Sequence, residues 1–179
     1  GLLLSSVFDD NPVVFLEHRW LHNMTGIVPE GDYRVPLGKA RVVREGEDIT
    51  IVSMSYMTIE GLHSVDHLRK LNINCELIDL RTVSPIDWTA IFISVRRTGK
   101  LLVLDTGAET GSISGEIISR VCKECWDELS MHPDRIAMPD CPEPTSYGLT
   151  KDFYPNADTI SIKICQMLKK DISHDELAS

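Results

Sequence analysis

The sequence lacks any apolar run close to the roughly 20 residues that a membrane-spanning helix needs. The leucine run at residues 2–4 is also too short for the core of a signal peptide. Positive charge is scarce, because 18 lysines and arginines face 27 acidic residues and the net charge is −9. Phosphate binding depends on concentrated lysine and arginine, so we predict no nucleic-acid partner and no membrane partner.

The five cysteines are odd in number and have no regular spacing, which is unlike a disulfide framework. Free thiols suit a reducing compartment, so we expect a soluble protein of the cytoplasm, or of the mitochondrial matrix in a eukaryote. The sequence begins at Gly1 rather than at a methionine. We therefore expect it to be a piece of a longer polypeptide.

The length of 179 residues and the hydrophobic share of 42% are enough for one well-buried core. Residues 2–8 are predicted to end a helix and residues 13–16 to form a buried strand, but these two elements cannot make a core alone. Residues 19–39 have no hydrophobic periodicity and carry several glycines and prolines, as linkers do. We place a domain boundary within residues 19–39.

Strands and helices alternate through residues 40–170. The predicted strands cover residues 40–44, 49–54, 75–80, 100–104 and 135–138. The predicted helices cover residues 57–71, residues 84–97, a stretch around 117–129 and a final segment capped by Asn156. This alternation predicts an α/β domain whose mostly parallel sheet is covered on both faces. Residues 171–179 form a polar tail, whose His-Asp-Glu-Leu is not terminal and so does not match a retention signal.

The clearest local pattern lies in residues 75–87, where a short apolar strand is followed by polar residues and a helix start. Ser84 is predicted to cap this helix, because its side chain can accept from free amides of the first turn. Pro85 suits the first helical position and Asp87 the positive helix end.

Two groups near strand exits are candidates for binding. Asp79 and Arg81 predict either a substrate clamp or a structural ion pair at a domain or subunit contact, and the ion pair is the commoner case. Gly107, Gly111 and Gly115 precede a helix, as glycines of phosphate-binding loops do. Their spacing matches neither the dinucleotide fingerprint nor the P-loop, so close packing at a helix start is favoured.

Two residue pairs could hold a metal or carry redox chemistry. Cys122 and Cys125 lie one helical turn apart, but both fall on an apolar stripe, which favours a buried structural role. His63 and His67 also lie one turn apart, yet no third ligand is evident, which favours a partly exposed helix face.

A third group, Glu17 and His18 with His22 nearby, follows the predicted strand at residues 13–16. A carboxylate and an imidazole could divide acid and base roles. No nucleophile or electrophile is evident beside them, so a polar loop is favoured.

Five blocks of the sequence resemble one known family in the same order. They are Pro-Val-Val-Phe-Leu-Glu-His at 12–18, Val-Pro-Leu-Gly-Lys-Ala at 35–40, Ile-Asp-Leu-Arg-Thr at 78–82 with Ser84-Pro85, Ser-Val-Arg-Arg-Thr-Gly-Lys at 94–100 and Pro-Asp-Cys-Pro-Glu-Pro at 139–144. The family is the beta subunit of thiamine-diphosphate-dependent 2-oxoacid dehydrogenases, the decarboxylating first component of the pyruvate and branched-chain complexes. The resemblance covers about residues 1–170. It leaves the 2-oxoacid open, since related beta-like subunits also serve acetoin cleavage.

The resemblance implies a division of the chain and a fold. Residues 1–18 would be the last helix and strand of the family's pyrimidine-binding domain, and residues 19–39 the interdomain linker. Residues 40–170 would form a transketolase C-terminal-like domain, a three-layer α/β/α sandwich with a five-stranded, mostly parallel mixed sheet. Its antiparallel edge strand would be residues 40–44, which the residues alone would pair with the next strand as a hairpin.

The resemblance also implies that this part of the enzyme is not catalytic. In the family, the catalytic glutamate and histidine lie in the pyrimidine-binding domain, upstream of residue 1. The diphosphate and metal ligands come from the alpha subunit. Thiamine diphosphate and magnesium are therefore expected in the full enzyme, while we carry over no catalytic, cofactor-binding or metal-binding residue to this chain.

What remains is assembly with an alpha subunit, a second beta subunit and a lipoyl acyltransferase core. We expect the contacts at the exits of the sheet, and the candidate residues are Asp79, Arg81, Thr106, Gly107, Thr110 and Gly111. The family usually has Thr-Gly-Gly where residues 110–112 read Thr-Gly-Ser, so no detailed loop role is transferred.

Two other functions stay open. The first is a free-standing small-molecule or nucleotide-binding α/β domain. In the family-like strand order its crevice would lie near Ser55, Tyr56, Thr106 and Gly107, where the strand order reverses. The second is a purely structural dimerisation module.

Overall fold

A five-stranded sheet lies between two layers of helices in the computed structural model, which describes residues 1–150 and 153–170. The strands are β1 (Arg41–Arg44), β2 (Ile49–Ser53), β3 (Cys75–Asp79), β4 (Leu101–Ala108) and β5 (Asp134–Met138). The α-helices are α1 (Leu2–Val7), α2 (Tyr56–Lys70), α3 (Trp88–Thr98), α4 (Ile113–Glu124), α5 (Tyr147–Thr150) and α6 (Ala157–Leu168). Short 3₁₀ helices occur at Arg19–Asn23 and Trp126–Glu128. Within these described ranges, no helix combines the length and the apolar character needed to cross a bilayer.

The strand order is β1-β3-β2-β4-β5, and β1 is the only antiparallel member of this sheet. The predicted mixed sheet with an antiparallel edge strand is thus confirmed, and β1 pairs with β3 rather than forming a hairpin with β2. An irregularity interrupts the β1–β3 register between Val42 and Arg44. Arginines begin and end β1, and Arg44 donates to Asp66 of α2 at 2.7 Å.

The central strand shows why the sheet needs helices on both faces. All five residues of β2 are buried. Ile49 and Ile51 pack in one cluster with α2 and α6, whereas Val52 packs in a second cluster with α3 and α4. A parallel strand buried on both faces reads as a continuous apolar run, which is the pattern the sequence shows here.

Hydrogen bonds between buried hydroxyl groups position the helices of each layer. Thr50 of β2 lies 2.6 Å from the Ser94 hydroxyl and 2.7 Å from the Thr98 hydroxyl of α3. On the other face, the hydroxyls of Ser64 in α2 and Ser161 in α6 are 2.8 Å apart. Because a buried hydroxyl without a partner is costly, these pairs fix how the helices sit.

The prediction of a buried strand at residues 13–16 is wrong. These residues have no regular structure, and Val14 and Leu16 are 84% and 85% exposed. A strand is stabilised by hydrogen bonds to a neighbouring strand, and none of the strands in residues 1–150 and 153–170 pairs with this segment.

The predicted start of the helix after β3 is also wrong. Helix α3 begins at Trp88 and is capped by Asp87, which accepts the Ala90 amide at 3.3 Å. Asp87 accepts the Ala40 amide as well, at 3.2 Å, so it joins the helix start to the start of β1. Ser84 lies in the preceding turn.

Strand β4 is longer than predicted. It continues to Ala108, because its pairing with β5 resumes at Met138 after an irregularity. Thr106 and Gly107 therefore lie on the strand and not in the predicted loop.

The final helix begins as predicted, with Asn156 accepting the Thr159 amide in a capping box. The predicted tail at residues 171–179 lies outside the described residues, as does its His-Asp-Glu-Leu. The domain boundary within residues 19–39 stays a prediction.

Candidate functional site at the carboxyl edge of the sheet

The sheet brings the predicted contact residues to one edge. Ser53, which ends β2, lies opposite Asp79 of β3 on one side and Leu104 of β4 on the other. Helix α2 leads from β2 to β3, and α3 then leads across to β4 on the opposite side of β2. The strand order therefore reverses between β2 and β4, as predicted, and this is where open α/β sheets present a crevice.

The Asp79 side chain contacts the backbone of Arg81. The Arg81 amide donates to Asp79 Oδ1 at 3.1 Å, whereas the sequence favoured an ion pair between the two side chains. Burial raises the pKa of Asp79, although the Arg81 amide and the charges of Arg81 and Arg41 oppose the shift. Arg81 has a φ of +58°, which holds the chain in a sharp bend at the end of β3.

Ser55 and Tyr56 form the turn between β2 and α2. Ser55 is exposed and has φ 53° and ψ −135°, a conformation that L-residues rarely adopt. The Tyr56 hydroxyl donates to Glu60 at 2.5 Å, and the ring is stacked on His18 with its centroid 5.2 Å away. Burial and the Glu60 carboxylate raise the pKa of Tyr56 to about 12. Tyr56 is therefore already engaged and does not line an open crevice as a free group.

Two carboxylates fix the connection between β4 and α4. Asp105 is 3% exposed and accepts the amides of Gly107 and Ser114, both at 2.8 Å. Asp140 accepts the amide of Thr110 at 2.9 Å and its hydroxyl at 2.5 Å. Two amides that a phosphate-binding loop would offer are thus used by Asp105, and the loop is packed as a helix start.

The exposed tip of this loop is Thr110 and Gly111. Gly111 has a φ of +80°, so glycine suits this bend better than any residue with a Cβ. The contact role predicted for Asp79, Arg81, Thr106, Gly107, Thr110 and Gly111 stays a prediction.

The cysteine and histidine pairs lie elsewhere. Cys122 and Cys125 are free, and burial raises the pKa of Cys125. His63 is exposed, whereas Nε2 of His67 is buried without a hydrogen-bond partner. The part of the chain that the structure describes contains no group of three histidine, cysteine or acidic side chains placed to hold a metal ion.

The fold separates His18 from Glu17 and His22. Glu17 Oε2 lies 3.5 Å from His22 Nε2 at the protein surface, whereas the His18 ring stacks on the Tyr56 ring. They do not form one acid–base centre.

An open cleft of about 360 Å³ lies away from the sheet edge, beside α1. It is lined by Ser5, Phe8, Asp9, Arg34, Pro36 and Leu37. None of these residues belongs to the crevice predicted for a small molecule.

Sequence reasoning missed Trp20, Glu60, Tyr154, Asp105 and Asp140. Trp20 packs against both Tyr56 and Tyr154, which are distant in the chain, so no local pattern could show the contact. Asp105, directly after a predicted buried strand, could have been found from its position, because strand exits commonly carry functional or loop-fixing polar groups.

The model of the family "Transketolase, C-terminal domain" matches residues 38–160. The chain belongs to the transketolase C-terminal domain family.

The most similar curated relatives include beta subunits of two kinds of enzyme. The beta subunit of acetoin:2,6-dichlorophenolindophenol oxidoreductase from Cupriavidus necator is 34% identical over 94% of this chain and 50% of its own length. The pyruvate dehydrogenase E1 component subunit beta from Rickettsia bellii is 37% identical over 92% of this chain and 52% of its own length. The chain thus spans about half the length of these relatives, and its resemblance to beta subunits of 2-oxoacid dehydrogenases is confirmed.

A solved structure confirms the fold. A split-gene transketolase, in an inactive β4 tetramer, superposes with a TM-score of 0.66 over 80% of this chain and 46% of that chain. Its sequence identity of 21% is too low to carry more than the fold.

Proposed function

We propose that this chain supplies the assembly domain of a beta subunit in a thiamine-diphosphate-dependent 2-oxoacid dehydrogenase, and that it carries none of the catalytic groups itself. The observation that carries the proposal is the match of more than nine-tenths of the chain to beta subunits of the pyruvate dehydrogenase E1 component. The full enzyme would decarboxylate pyruvate or a related 2-oxoacid oxidatively and transfer the acyl group to lipoamide. It would act in the cytoplasm, or in the mitochondrial matrix of a eukaryote.

Exposed apolar side chains support an assembly role. No residue of 1–34 is buried. The large apolar side chains exposed there are Leu3, Val7, Phe8, Val13, Val14, Phe15, Leu16, Trp20, Met24, Ile27, Val28 and Tyr33. A surface this apolar is typical of a protein contact. This fits residues 1–18 as part of a pyrimidine-binding domain and 19–39 as the linker.

The carboxyl edge is the contact face that the structure best supports. Arg81 is partly exposed in a fixed bend, and the tip at Thr110 and Gly111 is held by Asp140. A rigid contact residue loses little conformational entropy on binding. The expected partners are the alpha subunit and a second beta subunit, with a lipoyl acyltransferase core as a further partner of the complex.

Enzymes of this family depend on thiamine diphosphate, but the residues at this edge do not fit its diphosphate and magnesium. Asp105 already accepts the amides of Gly107 and Ser114, and Asp140 already accepts the amide and hydroxyl of Thr110. The amides of Gly107 and Ser114 are used internally as well. We therefore assign no residue of this chain to the cofactor.

The test is reconstitution with the alpha subunit of the same organism. The full chain should co-sediment with it, and Arg81→Glu should weaken the complex at least tenfold. Arg69→Glu is the matched control, because Arg69 is exposed on α2 away from the edge and its reversal should have little effect. Equal behaviour of the two variants would contradict the proposed contact face.

A second measurement tests the absence of catalytic groups. Titration calorimetry with thiamine diphosphate and magnesium should give no stoichiometric binding to the isolated chain. Turnover of pyruvate by the isolated chain would refute the proposal.

A further inference from the structure

Trp20 lies between the starts of two helices that are far apart in the chain. Its ring meets the Tyr56 ring edge-on, with centroids 4.7 Å apart and planes at 83°. It meets the Tyr154 ring in the same way, at 4.7 Å and 68°. Edge-to-face pairs at this distance are attractive beyond the area they bury.

Both tyrosines stand at helix starts. Tyr56 is the first residue of α2, and Tyr154 precedes Asn156, the cap of α6. The 3₁₀ helix Arg19–Asn23 carries Trp20 and is itself begun by His18, whose Nδ1 accepts the Trp20 amide at 3.3 Å. The stacking of His18 on Tyr56 adds a second contact from the same segment.

One carboxylate connects these contacts to α6. Glu60 lies one turn after Tyr56 and accepts the Tyr56 hydroxyl at Oε1. Its Oε2 accepts the amide of Ala157, the first residue of α6, at 2.9 Å. The first amides of a helix have no partner within the helix, and a negative charge there is favourable. Glu60 thus caps α6 from a neighbouring helix.

We propose that residues 18–23 act as a strap, which holds the first turn of α6 through Trp20, Tyr56 and Glu60. With Trp20 seated, Tyr56 orients Glu60 toward Ala157, and Tyr154 fixes the chain just before the cap. If residues 18–23 detach, the start of α6 loses the oriented Glu60 cap and the Tyr154 contact together. Helix α6 supplies Ile160, Ile164, Cys165 and Met167 to the core, so the strap connects the path of the linker with the packing of one helix layer.

Hydrogen exchange of the full chain tests this coupling, because it reports local opening residue by residue. Trp20→Ala should lower the protection of the Ile160 and Ser161 amides about tenfold. The amides of Ile91 and Val95, in α3 on the opposite face, should keep their protection. Trp126→Ala is the matched control, since Trp126 is 70% exposed on the α3–α4 side and should leave α6 unchanged.

A double-mutant cycle separates the strap from a general loss of stability. Glu60→Leu alone should lower the same protection, and adding Trp20→Ala should then have less than its full tenfold effect. If Trp20→Ala prevents folding, Trp20→Phe should give a smaller change confined to the same amides. Unchanged protection in α6, an equal loss across the chain, or fully independent effects of the two substitutions would each overturn the proposal.

Discussion

Residues 1–34 and the sheet domain are both rich in apolar side chains, but they bury them very differently. No residue of 1–34 is buried, whereas every residue of β2 is. Leu16 is 85% exposed and Leu77 is fully buried. An apolar segment becomes part of a core only where neighbouring backbone satisfies its polar groups, and the sheet supplies this to β2 and β3. Residues 1–34 leave most of their apolar surface exposed, although Trp20 packs against Tyr56 and Tyr154.

The first prediction contrasts one leucine from each region. Leu77→Ala should lower the free energy of unfolding by about 2–5 kcal/mol, because it leaves a cavity between β3 and α2. Leu16→Ala should change it by less than about 0.5 kcal/mol. Urea denaturation of the two variants measures both values. The contrast between the regions fails if Leu16→Ala is as costly as Leu77→Ala.

The second prediction contrasts two arginine–carboxylate pairs. Arg97 donates to Glu76, whose side chain is 5% exposed, whereas Arg34 pairs with an exposed Asp32. Arg97→Met should lower stability by about 1–3 kcal/mol, because it leaves a buried carboxylate without its donor. Arg34→Met should change stability far less, because water screens this exposed pair. Chemical denaturation at low and high salt distinguishes the pairs, since only the exposed one should be strongly screened.

The third prediction concerns strain, which in residues 1–150 and 153–170 is confined to the sheet domain. The non-glycine residues with positive φ are Ser55, Asn72, Arg81 and Lys169. Ser55→Gly should raise stability by about 1 kcal/mol, because glycine adopts this conformation without strain. Ser119→Gly, in the middle of α4, is the control and should lower stability by about 0.5–1 kcal/mol. Thermal unfolding measures both changes. A loss of stability in Ser55→Gly as well as in Ser119→Gly would contradict the interpretation.

The smallest effects should come from two aspartates with opposite pH dependence. Burial raises the pKa of Asp79, so its ionised form destabilises the native state, and this penalty disappears as the pH falls through the native pKa. Arg34 lowers the pKa of Asp32, so that group contributes stability at neutral pH and loses it on acidification. Asp79→Asn should therefore stabilise at pH 7 and Asp32→Asn should slightly destabilise. Denaturation curves between pH 7 and pH 3 measure the stability of each variant relative to the unchanged chain. The contrast fails if the two substitutions change stability in the same direction at pH 7.

Local patterns predicted most of the domain correctly. The apolar runs of β2 and β3 and the capping box at Asn156 are determined by nearby residues. The antiparallel position of β1 could not be predicted that way, since its partner β3 lies beyond a whole helix. The family resemblance supplied that strand order.

The errors share a physical cause. The apolar run at residues 13–16 has the composition of a strand but no pairing partner. Ser84 has the chemistry of a helix cap, yet Asp87 takes that place because it also satisfies the Ala40 amide. At the candidate site, the positions of Asp79, Arg81 and Thr106 followed from the alternation of strands and helices. The contacts of Trp20 did not, because they depend on distant residues.

The irregular pairing of β1 protects the sheet from uncontrolled growth. An edge strand with free amides and carbonyls can recruit strands from other molecules into fibrils. The interruption between Val42 and Arg44 spoils the even ladder that such recruitment needs, and charged arginine side chains at the two ends of β1 disfavour it further. A variant with Arg41 and Arg44 both changed to valine should accordingly form aggregates with cross-β diffraction at concentrations where the unchanged chain remains dispersed.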